Sequence, residues 1–280
     1  MPGLIDLHTH STASDGTTPP EALVRAAANA GLEAVALTDH DTTGGWAEAA
    51  AALPAGLRLV RGTEISCSRE GISLHLLGYL FDPDEPALAE QLRVLRESRV
   101  DRAERMVDML AADGVPVSWE QVRGIAGGTV GRPHVARALI DSGLVSSIEE
   151  AFTPDWIGTR GRYWAGKHEL EVLDALRLVH AAGGVTVFAH PGADARGRTV
   201  ADDVIEEMAA AGLAGLEVDH VDHTPQTRAR LRQMADSLGL LVTGSSDFHG
   251  ANKPVRLGEN ATAPAVLDEI AARATGVEVL

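Results

Sequence analysis

Seven short apolar runs recur along the chain, and segments with helical periodicity separate most of them. The runs cover residues 4–8, 34–40, 57–66, 72–81, 184–190, 214–220 and 240–249. Between them lie Ala-rich segments with apolar residues at helical spacing, such as 19–31, 170–183 and 227–239, bounded by proline or glycine. Strands that alternate with helices form βα units, so the pattern predicts an α/β fold with a parallel sheet.

One region of the chain breaks this alternation. The apolar spacing over residues 87–111 predicts a single long helix, and the sequence after it looks helical apart from its glycine and proline turns. A chain of 280 residues is long enough for one α/β barrel with an added element. We therefore predict a barrel built from residues 1–92 and 168–280, with residues 93–167 as a small helical insertion domain.

The charge of the chain is strongly negative and unevenly distributed. The formal net charge is −16, yet residues 93–167 contain 11 Lys and Arg against 10 Asp and Glu, whereas the remainder contains 13 against 30. An acidic body argues against a protein that coats long duplex nucleic acid, and it suits a site that holds several cations. A small or short anionic substrate would need the local basic residues.

Targeting and redox signals are sparse. No apolar run reaches 18 residues, and the first ten residues lack the basic and apolar blocks of a signal peptide. We therefore expect no membrane span and a cytoplasmic location. The single cysteine, Cys67, excludes an internal disulfide and suits a reducing compartment, and we expect it to be a small buried apolar residue.

Potential metal ligands follow nearly every apolar run. His8 and His10 close the first run, and residues two apart on a strand point to the same face, so their imidazoles lie side by side. Burying such a pair is costly unless a metal ion binds the two imidazoles. The ordinary alternative is that backbone carbonyls accept their hydrogen bonds. The carboxyl ends of parallel strands meet at one rim of a barrel, where we expect the candidates to converge. They are His8, His10, Asp15, His40, Glu64, His75, His190, Asp247 and His249.

The ligand types restrict the metal. Imidazole and carboxylate ligands without a thiolate favour Zn, Mn or Fe ions. A catalytic ion usually takes about three protein ligands, so six histidines and three carboxylates suffice for two or three divalent ions. Glu64 is suited to bridge two of them, and a water activated between paired ions is a nucleophile for hydrolysis. Asp39 or Asp41, which flank His40, would orient a liganding imidazole through its other N–H.

Together these segments resemble the PHP (polymerase and histidinol phosphatase) superfamily. The similar motifs are DLHTHSTASDG, ALTDHD, GTEIS, HLLGY, FAHPG and GSSDFHG, and the resemblance covers nearly the whole chain, most closely to bacterial phosphoesterases that act on nucleotides. It implies a distorted seven-stranded (β/α) barrel, a TIM-like PHP fold, with a trinuclear metal site. It also implies one ion on His8, His10, Glu64 and Asp247, a second on Glu64, His75 and His190, and a third on Asp15, His40 and His249.

Basic residues near the insertion are candidates for binding the substrate phosphate. Arg132 and His134 flank a proline at a predicted helix start, where backbone N–H groups and a guanidinium would bind an anion. The only two lysines, Lys167 and Lys253, lie where the insertion returns to the barrel and in the loop after the DFH motif. An ordinary solvated surface role is the alternative for these side chains. His223, after a predicted strand end, is a further candidate for substrate binding.

The combined motifs predict a metal-dependent phosphoesterase that hydrolyses a phosphate ester of a nucleotide with a metal-activated water. The resemblance implies a nucleoside 3′,5′-bisphosphate or the 5′ end of a short oligoribonucleotide as the substrate. Glu64, Asp247 and His249 are the candidate catalytic residues, and Asp247 or His249 would pass a proton to the leaving oxygen. The alternatives are a histidinol-phosphate phosphatase, an amidohydrolase-type C–N hydrolase and a catalytically silent metal-binding module. The C–N hydrolase is disfavoured because no lysine stands at a predicted strand end to serve as a carboxylated ligand.

Overall fold

The computed structural model describes residues 3–280, which form a mixed α/β fold around one central sheet. Seven of its eight strands coincide with the seven apolar runs, so their prediction is confirmed, and the remaining strand, β5, has only two residues. The strands are β1 (Leu4–Asp6), β2 (Leu32–Leu37), β3 (Arg58–Arg69), β4 (Ile72–Tyr79), β5 (Leu170–Glu171), β6 (Val185–Phe188), β7 (Gly215–Asp219) and β8 (Leu241–Gly244).

The helices begin and end close to the predicted positions. The long helix expected over 87–111 is α3, and the segments 19–31, 170–183 and 227–239 contain α1, α7 and α9. Within residues 3–280, no helix combines the length and the apolar character needed to cross a bilayer. The helices are α1 (Pro20–Asn29), α2 (Trp46–Ala51), α3 (Pro86–Ala112), α4 (Trp119–Ile125), α5 (Arg132–Asp141), α6 (Ile148–Ala151), α7 (Val172–Ala181), α8 (Asp202–Ala210), α9 (Pro225–Leu238) and α10 (Pro264–Arg273).

The strand directions differ from the expected all-parallel sheet at one strand. Hydrogen bonding orders the strands β1-β2-β3-β4-β6-β7-β8, with β5 beside β3, and β4 is antiparallel to both of its neighbours. Only Glu70 and Gly71 connect β3 to β4, with φ angles of 53° and 71°. A two-residue turn with positive φ at both positions reverses the chain, whereas a parallel crossover needs a dozen or more residues. The prediction of a parallel sheet is therefore wrong at β4.

The first and last strands of the sheet approach each other just beyond their carboxyl ends. Thr9 and Phe248 form an isolated parallel bridge, and the His10 N–H donates to the Phe248 carbonyl at 2.8 Å. Continuous strand pairing does not join β1 to β8 in the part of the chain that the structure describes, so the sheet is not a fully hydrogen-bonded cylinder there. The bridge nevertheless brings two segments that carry predicted ligands side by side.

Both faces of the sheet are covered by apolar side chains. On β2, Val35 and Leu37 belong to the cluster that includes residues of the outer helices α1, α7, α8 and α9. Ala34 and Ala36, which alternate with them, belong to a second cluster that Leu267 of α10 joins. Because successive side chains on a strand point to opposite faces, this alternation shows a sheet buried on both sides.

A third apolar cluster lies within the long helical region. It contains Met106, Leu110 and Leu139 together with other residues between positions 100 and 165. Leu88 and Leu92, near the start of α3, instead pack in the cluster of the sheet and its outer helices. The helix α3 is continuous across both clusters, so the predicted boundary at residues 92 and 93 falls inside a helix.

The β3–β4 turn supplies a stability test. We expect Gly71→Val to lower the free energy of unfolding by about 1–2 kcal/mol, because a β-branched side chain is strained at a left-handed backbone position. Glu70→Gly should stay within about 1 kcal/mol of the wild type, since relief of strain at its positive φ offsets the flexibility of glycine. Urea unfolding measures both, and a Gly71→Val protein as stable as the wild type would contradict the described turn.

Candidate metal centre

The nine predicted ligands meet at one edge of the sheet. Eight of them are buried and His75 is partly exposed. His8 and His10 follow β1 directly rather than lying within it, because the strand ends at Asp6. The others lie after β2, β6 and β8, on β3 and β4, and in the loop before α1: Asp15, His40, Glu64, His75, His190, Asp247 and His249.

His75 reaches this edge for a reason that the sequence pattern did not show. It lies near the start of β4 and pairs in register with Ser66 of β3. Because β4 is antiparallel, its first residues lie beside the carboxyl-terminal half of β3. The Nδ1 atom of His75 is therefore 2.7 Å from the Oε1 atom of Glu64.

The Glu64 carboxylate lies at the centre of the cluster. Its two oxygens face different imidazoles, as a carboxylate that bridges two ions would. The Oε1 atom lies 2.7 Å from His75 and 3.0 Å from His190, whereas Oε2 lies 3.3 Å from His8, 3.1 Å from His10 and 3.0 Å from His40.

These contacts bring more lone pairs together than the available hydrogen bonds can satisfy. The Nε2 atoms of His8 and His10 are 3.0 Å apart. Within residues 3–280, the buried Nδ1 atom of His40 has no hydrogen-bond partner, although it lies 3.0 Å from a Glu64 oxygen. Lone pairs that converge in this way in a buried site are costly unless a positive charge lies between them. The residues therefore fit divalent cations.

Three overlapping groups of atoms are close enough to hold ions. In each group the potential ligand atoms lie within 4.8 Å of one another. The groups are His10, Asp15, His40 and His249; then His8, His10 and Asp247; then His40, Glu64 and His75. Compared with the implied ligand sets, the first group adds His10, the second lacks Glu64, and the third contains His40 in place of His190. The assignment of residues to individual ions stays a prediction.

Burial and charge separate the imidazoles into two protonation classes. Burial lowers the pKa of His10, but the carboxylates of Asp247 and Glu64 outweigh it and raise this pKa to about 9. The pKa of His8 is likewise raised, because Glu64, Glu217 and Asp247 overcome its burial. For His190 burial dominates, and the pKa falls to about 3. Without ions, the cluster therefore holds a proton in the His8–His10 pair.

The sequence analysis missed Glu217, which positions two of the predicted ligands. This fully buried residue of β7 accepts a hydrogen bond from His8 Nδ1 at 3.0 Å and another from the His190 backbone N–H at 2.7 Å. Ser245 donates a further hydrogen bond to it. A carboxylate on the far nitrogen of a liganding imidazole fixes the ring and its tautomer. The available signal was a lone glutamate within the apolar run 214–220.

The two aspartates beside His40 have other partners. Asp39 accepts hydrogen bonds from Ser11 and Ser14, and it reaches the His10 ring only through Ser14. Asp41 accepts hydrogen bonds from Ser66 and Arg99. Direct orientation of an imidazole, predicted for Asp39 or Asp41, is therefore carried out by Glu217 instead.

Asp247 lies between the imidazoles and a group of basic side chains. Its Oδ1 atom is 3.5 Å from both His8 and His10, whereas Oδ2 accepts hydrogen bonds from Arg196 at 2.7 Å and Lys253 at 2.5 Å. The backbone of Asp247 is left-handed, with a φ of 52°. Strained backbone of this kind persists where the surrounding contacts over-determine it, as they do here.

The five residues predicted to bind substrate occupy different surroundings. Lys253 contacts Asp247 directly, and Lys167 is paired with Glu169 at 3.0 Å. The Arg132 guanidinium lies over an aromatic ring at 5.0 Å, at the start of α5. His134 Nδ1 accepts the N–H that begins this helix, which leaves only Nε2 for a ligand. Both ring nitrogens of His223 bind backbone groups, an arrangement that does not favour a substrate contact.

Comparisons with known proteins agree with this geometry. The profile of the PHP domain family matches residues 6–117. The chain is 40% identical to a 3′,5′-nucleoside bisphosphate phosphatase of Chromobacterium violaceum, over 88% of this chain and 87% of the relative. It is 35% identical to a 5′-3′ exoribonuclease of Haemophilus influenzae, over 91% and 93% of the two chains. A solved Bifidobacterium adolescentis structure, described as a metal-dependent phosphoesterase, is 38% identical with a TM-score of 0.92, over 97% and 96%.

The protonation of the His8–His10 pair predicts that metal binding releases protons. Because the pKa of His10 is about 9 against an ordinary 6.5, binding at pH 7 should displace about one proton or more. Without metal, this raised pKa stabilises the fold below about pH 6.5, and the contribution disappears as pH rises through about 9. Calorimetric Mn²⁺ titrations in buffers of different ionisation enthalpy count the protons, and a count of zero would contradict the assignment.

The position of Glu217 predicts a specific effect on metal affinity. Glu217→Gln should weaken divalent-metal binding about 10–100-fold, because the amide removes the charge that holds the His8 ring and its tautomer. Competition with a chelator measures this loss. Glu206→Gln, on the exposed face of α8, is the matched control and should bind metal like the wild type. Equal affinity for both variants would show that Glu217 does not position His8.

Proposed function

The chain belongs to the PHP domain family, and on that premise we propose that it is a metal-dependent phosphoesterase that hydrolyses a phosphate ester of a nucleotide. The substrate that we infer is a nucleoside 3′,5′-bisphosphate or the 5′ end of a short oligoribonucleotide. Relatives that match most of this chain carry these two activities in their names. The observation that supports the proposal best is the buried carboxylate of Glu64 with five imidazole nitrogens within 3.3 Å.

The cluster is suited to two or three divalent ions of Mn, Fe or Zn. Imidazole and carboxylate atoms are ligands that these ions accept, and the chain's only thiol, Cys67, lies in the apolar core. When bound, such ions activate a water as the nucleophile and neutralise the charge that develops on the phosphoryl group. Glu64, which has imidazoles against both of its carboxylate oxygens, and the other eight predicted ligands would hold these ions.

The protein's own groups orient this chemistry. The Glu217 carboxylate holds His8 and His190 in place. Lys253 and Arg196, which meet at the Oδ2 atom of Asp247, provide cationic donors on one side of the cluster for phosphoryl oxygens. Both basic groups also keep Asp247 ionised as a ligand.

The two candidates for protonating the leaving oxygen are poor acids in this arrangement. Burial raises the pKa of Asp247, but Lys253 and the nearby imidazoles outweigh it and hold this pKa well below its usual range. Burial and the neighbouring Lys253 lower the pKa of His249 to about 3. Neither side chain holds a proton near neutral pH, so we assign Asp247 and His249 to metal binding rather than to proton transfer.

The architecture of this proposal includes a barrel and an insertion. We propose that the sheet curls into the distorted seven-stranded barrel of the family, a proposal supported by the bridge between Thr9 and Phe248. The separate apolar cluster between residues 100 and 165 supports an insertion close to the predicted range of 93–167. The long helix α3, which packs in both the barrel and the insertion, would fix the position of one relative to the other.

An activity assay with three substrates tests the function. The Mn²⁺-loaded protein should release phosphate or mononucleotide from adenosine 3′,5′-bisphosphate and from a 5′-phosphorylated RNA pentamer, and a chelator should abolish the release. Histidinol phosphate serves as the third substrate, and activity on it alone would reassign the protein to the alternative phosphatase. The ratio of the first two rates decides between a phosphatase and an exonuclease.

Matched variants connect this activity to the cluster. Asp247→Asn should lower kcat/KM by more than about 100-fold, because it removes a charged ligand in a site where electrostatic stabilisation dominates. Asp219→Asn changes a partly exposed carboxylate at the end of β7 that is paired with Arg232, and it should leave kcat/KM unchanged. Full activity and full metal content in the Asp247→Asn protein would exclude the cluster as the catalytic site.

A further inference from the structure

Four basic side chains gather beside the metal centre, on the side of the insertion. Arg99 and Arg102 lie one turn apart on α3 and are 4% and 7% exposed. Arg132 begins α5, and Lys167 lies on the segment that returns to the sheet, with its side chain 6% exposed. The metal cluster does not use Arg102, and the sequence analysis did not single it out.

Two backbone contacts bring these elements to the same place. The Thr129 N–H donates to the Ala13 carbonyl at 3.1 Å, which holds the loop before α5 against the loop that carries Asp15. The His168 N–H donates to the Ser98 side chain at 2.6 Å, which holds the segment after Lys167 against α3. The basic side chains therefore surround a region that borders the metal centre near Asp15.

The carboxylates of this region balance only part of the positive charge. Asp41 binds Arg99, and Glu169 binds Lys167. The Nε atom of Arg102 is buried and has no hydrogen-bond partner among residues 3–280. Burial, and then the charges of Arg132 and Arg99, hold the pKa of Arg102 well below its usual range. Nearby carboxylates, Glu169 among them, offset part of the charge of Arg102 and Arg132, but no carboxylate pairs directly with either guanidinium within residues 3–280.

Such an arrangement is unfavourable for the free protein and favourable for an anion. A buried charge without a partner destabilises a fold unless another charge compensates it. Guanidinium groups match the oxygens of a phosphate through paired hydrogen bonds, and Arg132 lies at the N-terminus of the ten-residue helix α5, the positive end of the helix dipole. The buried Nε donor of Arg102, which has no partner among the described residues, is the independent sign that a ligand belongs here.

We propose that Arg102, Arg132 and Lys167 form a second anion subsite, which binds a substrate phosphate other than the one that is hydrolysed. The inference rests on the proposed function, because it concerns the same nucleotide substrate. Arg99 connects the metal centre with this subsite. It binds Asp41, next to the predicted ligand His40, and Arg102 lies about 4.5 Å further along the same helix. A substrate with two phosphates would therefore bind the metal centre and the subsite at once, and the subsite selects such substrates.

Paired substrates and one variant test the subsite in the full, Mn²⁺-loaded protein. The measured quantity is kcat/KM for adenosine 3′,5′-bisphosphate divided by that for the better of adenosine 3′- and 5′-monophosphate. The wild type should prefer the bisphosphate by more than about tenfold, and Arg102→Met should reduce this ratio at least tenfold, the loss expected for a charge-assisted contact. Arg102→Lys should restore part of it.

Stability separates a ligand-binding role from a structural one. Because methionine replaces an uncompensated buried charge with an apolar chain, Arg102→Met should have a Tm equal to or above that of the wild type. A residue that held the fold together would instead lower Tm when replaced. Arg93→Met, on the exposed part of the same helix where Arg93 pairs with Glu90 and Glu97, is the control for both measurements.

The outcomes distinguish this inference from the proposed function. If the wild type hydrolyses the bisphosphate and the monophosphates equally well, or if Arg102→Met keeps the wild-type ratio, the subsite is wrong while the phosphoesterase stands. If no substrate is hydrolysed, the proposed function fails, and calorimetric binding of the bisphosphate decides the subsite: at least tenfold weaker binding by Arg102→Met supports it, and equal binding overturns it.

The second phosphate has two possible chemical sources. It is a terminal monoester in a nucleoside bisphosphate and an internal diester in RNA. A 5′-phosphorylated dinucleotide, compared with the corresponding mononucleotide, distinguishes them in the same proteins. If Arg102→Met loses its preference only for the bisphosphate, the subsite binds a monoester phosphate. If it loses the preference for the dinucleotide to the same extent, the subsite binds a diester phosphate. Both results support an anion subsite at Arg102.

Discussion

The Glu64 carboxylate, which has imidazole nitrogens against both of its oxygens, is the interaction on which the rest of this structure depends. Such a concentration of buried ligands is unfavourable for a protein without bound cations, because their lone pairs face one another in a region that excludes water. The fold tolerates it because every strand that contributes a ligand is held by the sheet. The apolar clusters on both faces stabilise that sheet. Apolar burial thus supports a site that would not form by itself.

The positioning of this cluster extends beyond the ligands. Glu217 holds His8 and His190, and Asp41 connects the segment after β2 to Arg99 of α3. The long helix therefore does two things: it packs its first turns against the sheet, and it carries basic side chains to the border of the metal centre. One continuous helix thus holds the proposed anion subsite beside the candidate metal centre. That juxtaposition suits a substrate whose phosphate must approach a ring of carboxylates.

The sequence patterns predicted more of the ligands than of the contacts around them. His8, His10 and Asp247 were recognisable because histidines and carboxylates repeatedly follow apolar runs, and spacing along the chain records that directly. Glu217 carried only one signal, a glutamate within an apolar run, and Arg102 carried none, since a charged residue on an amphipathic helix has no local mark that distinguishes burial from exposure. The strand direction at β4 was also misjudged, because the two-residue turn at Glu70 and Gly71 was not weighed against the βα pattern.

The sequence by itself determined the α/β class, the position of nearly every strand and the set of imidazoles and carboxylates that the fold brings together. These properties depend on local periodicity and residue type, which any stretch of chain carries with it. Only the tertiary structure decided that both nitrogens of His223 are used by the backbone, that Glu217 orients His8, and that the Nε atom of Arg102 has no partner among the residues that the structure describes. Such facts depend on which distant atoms share a buried space. Hydrogen bonding and charge compensation are settled there, after packing has excluded water.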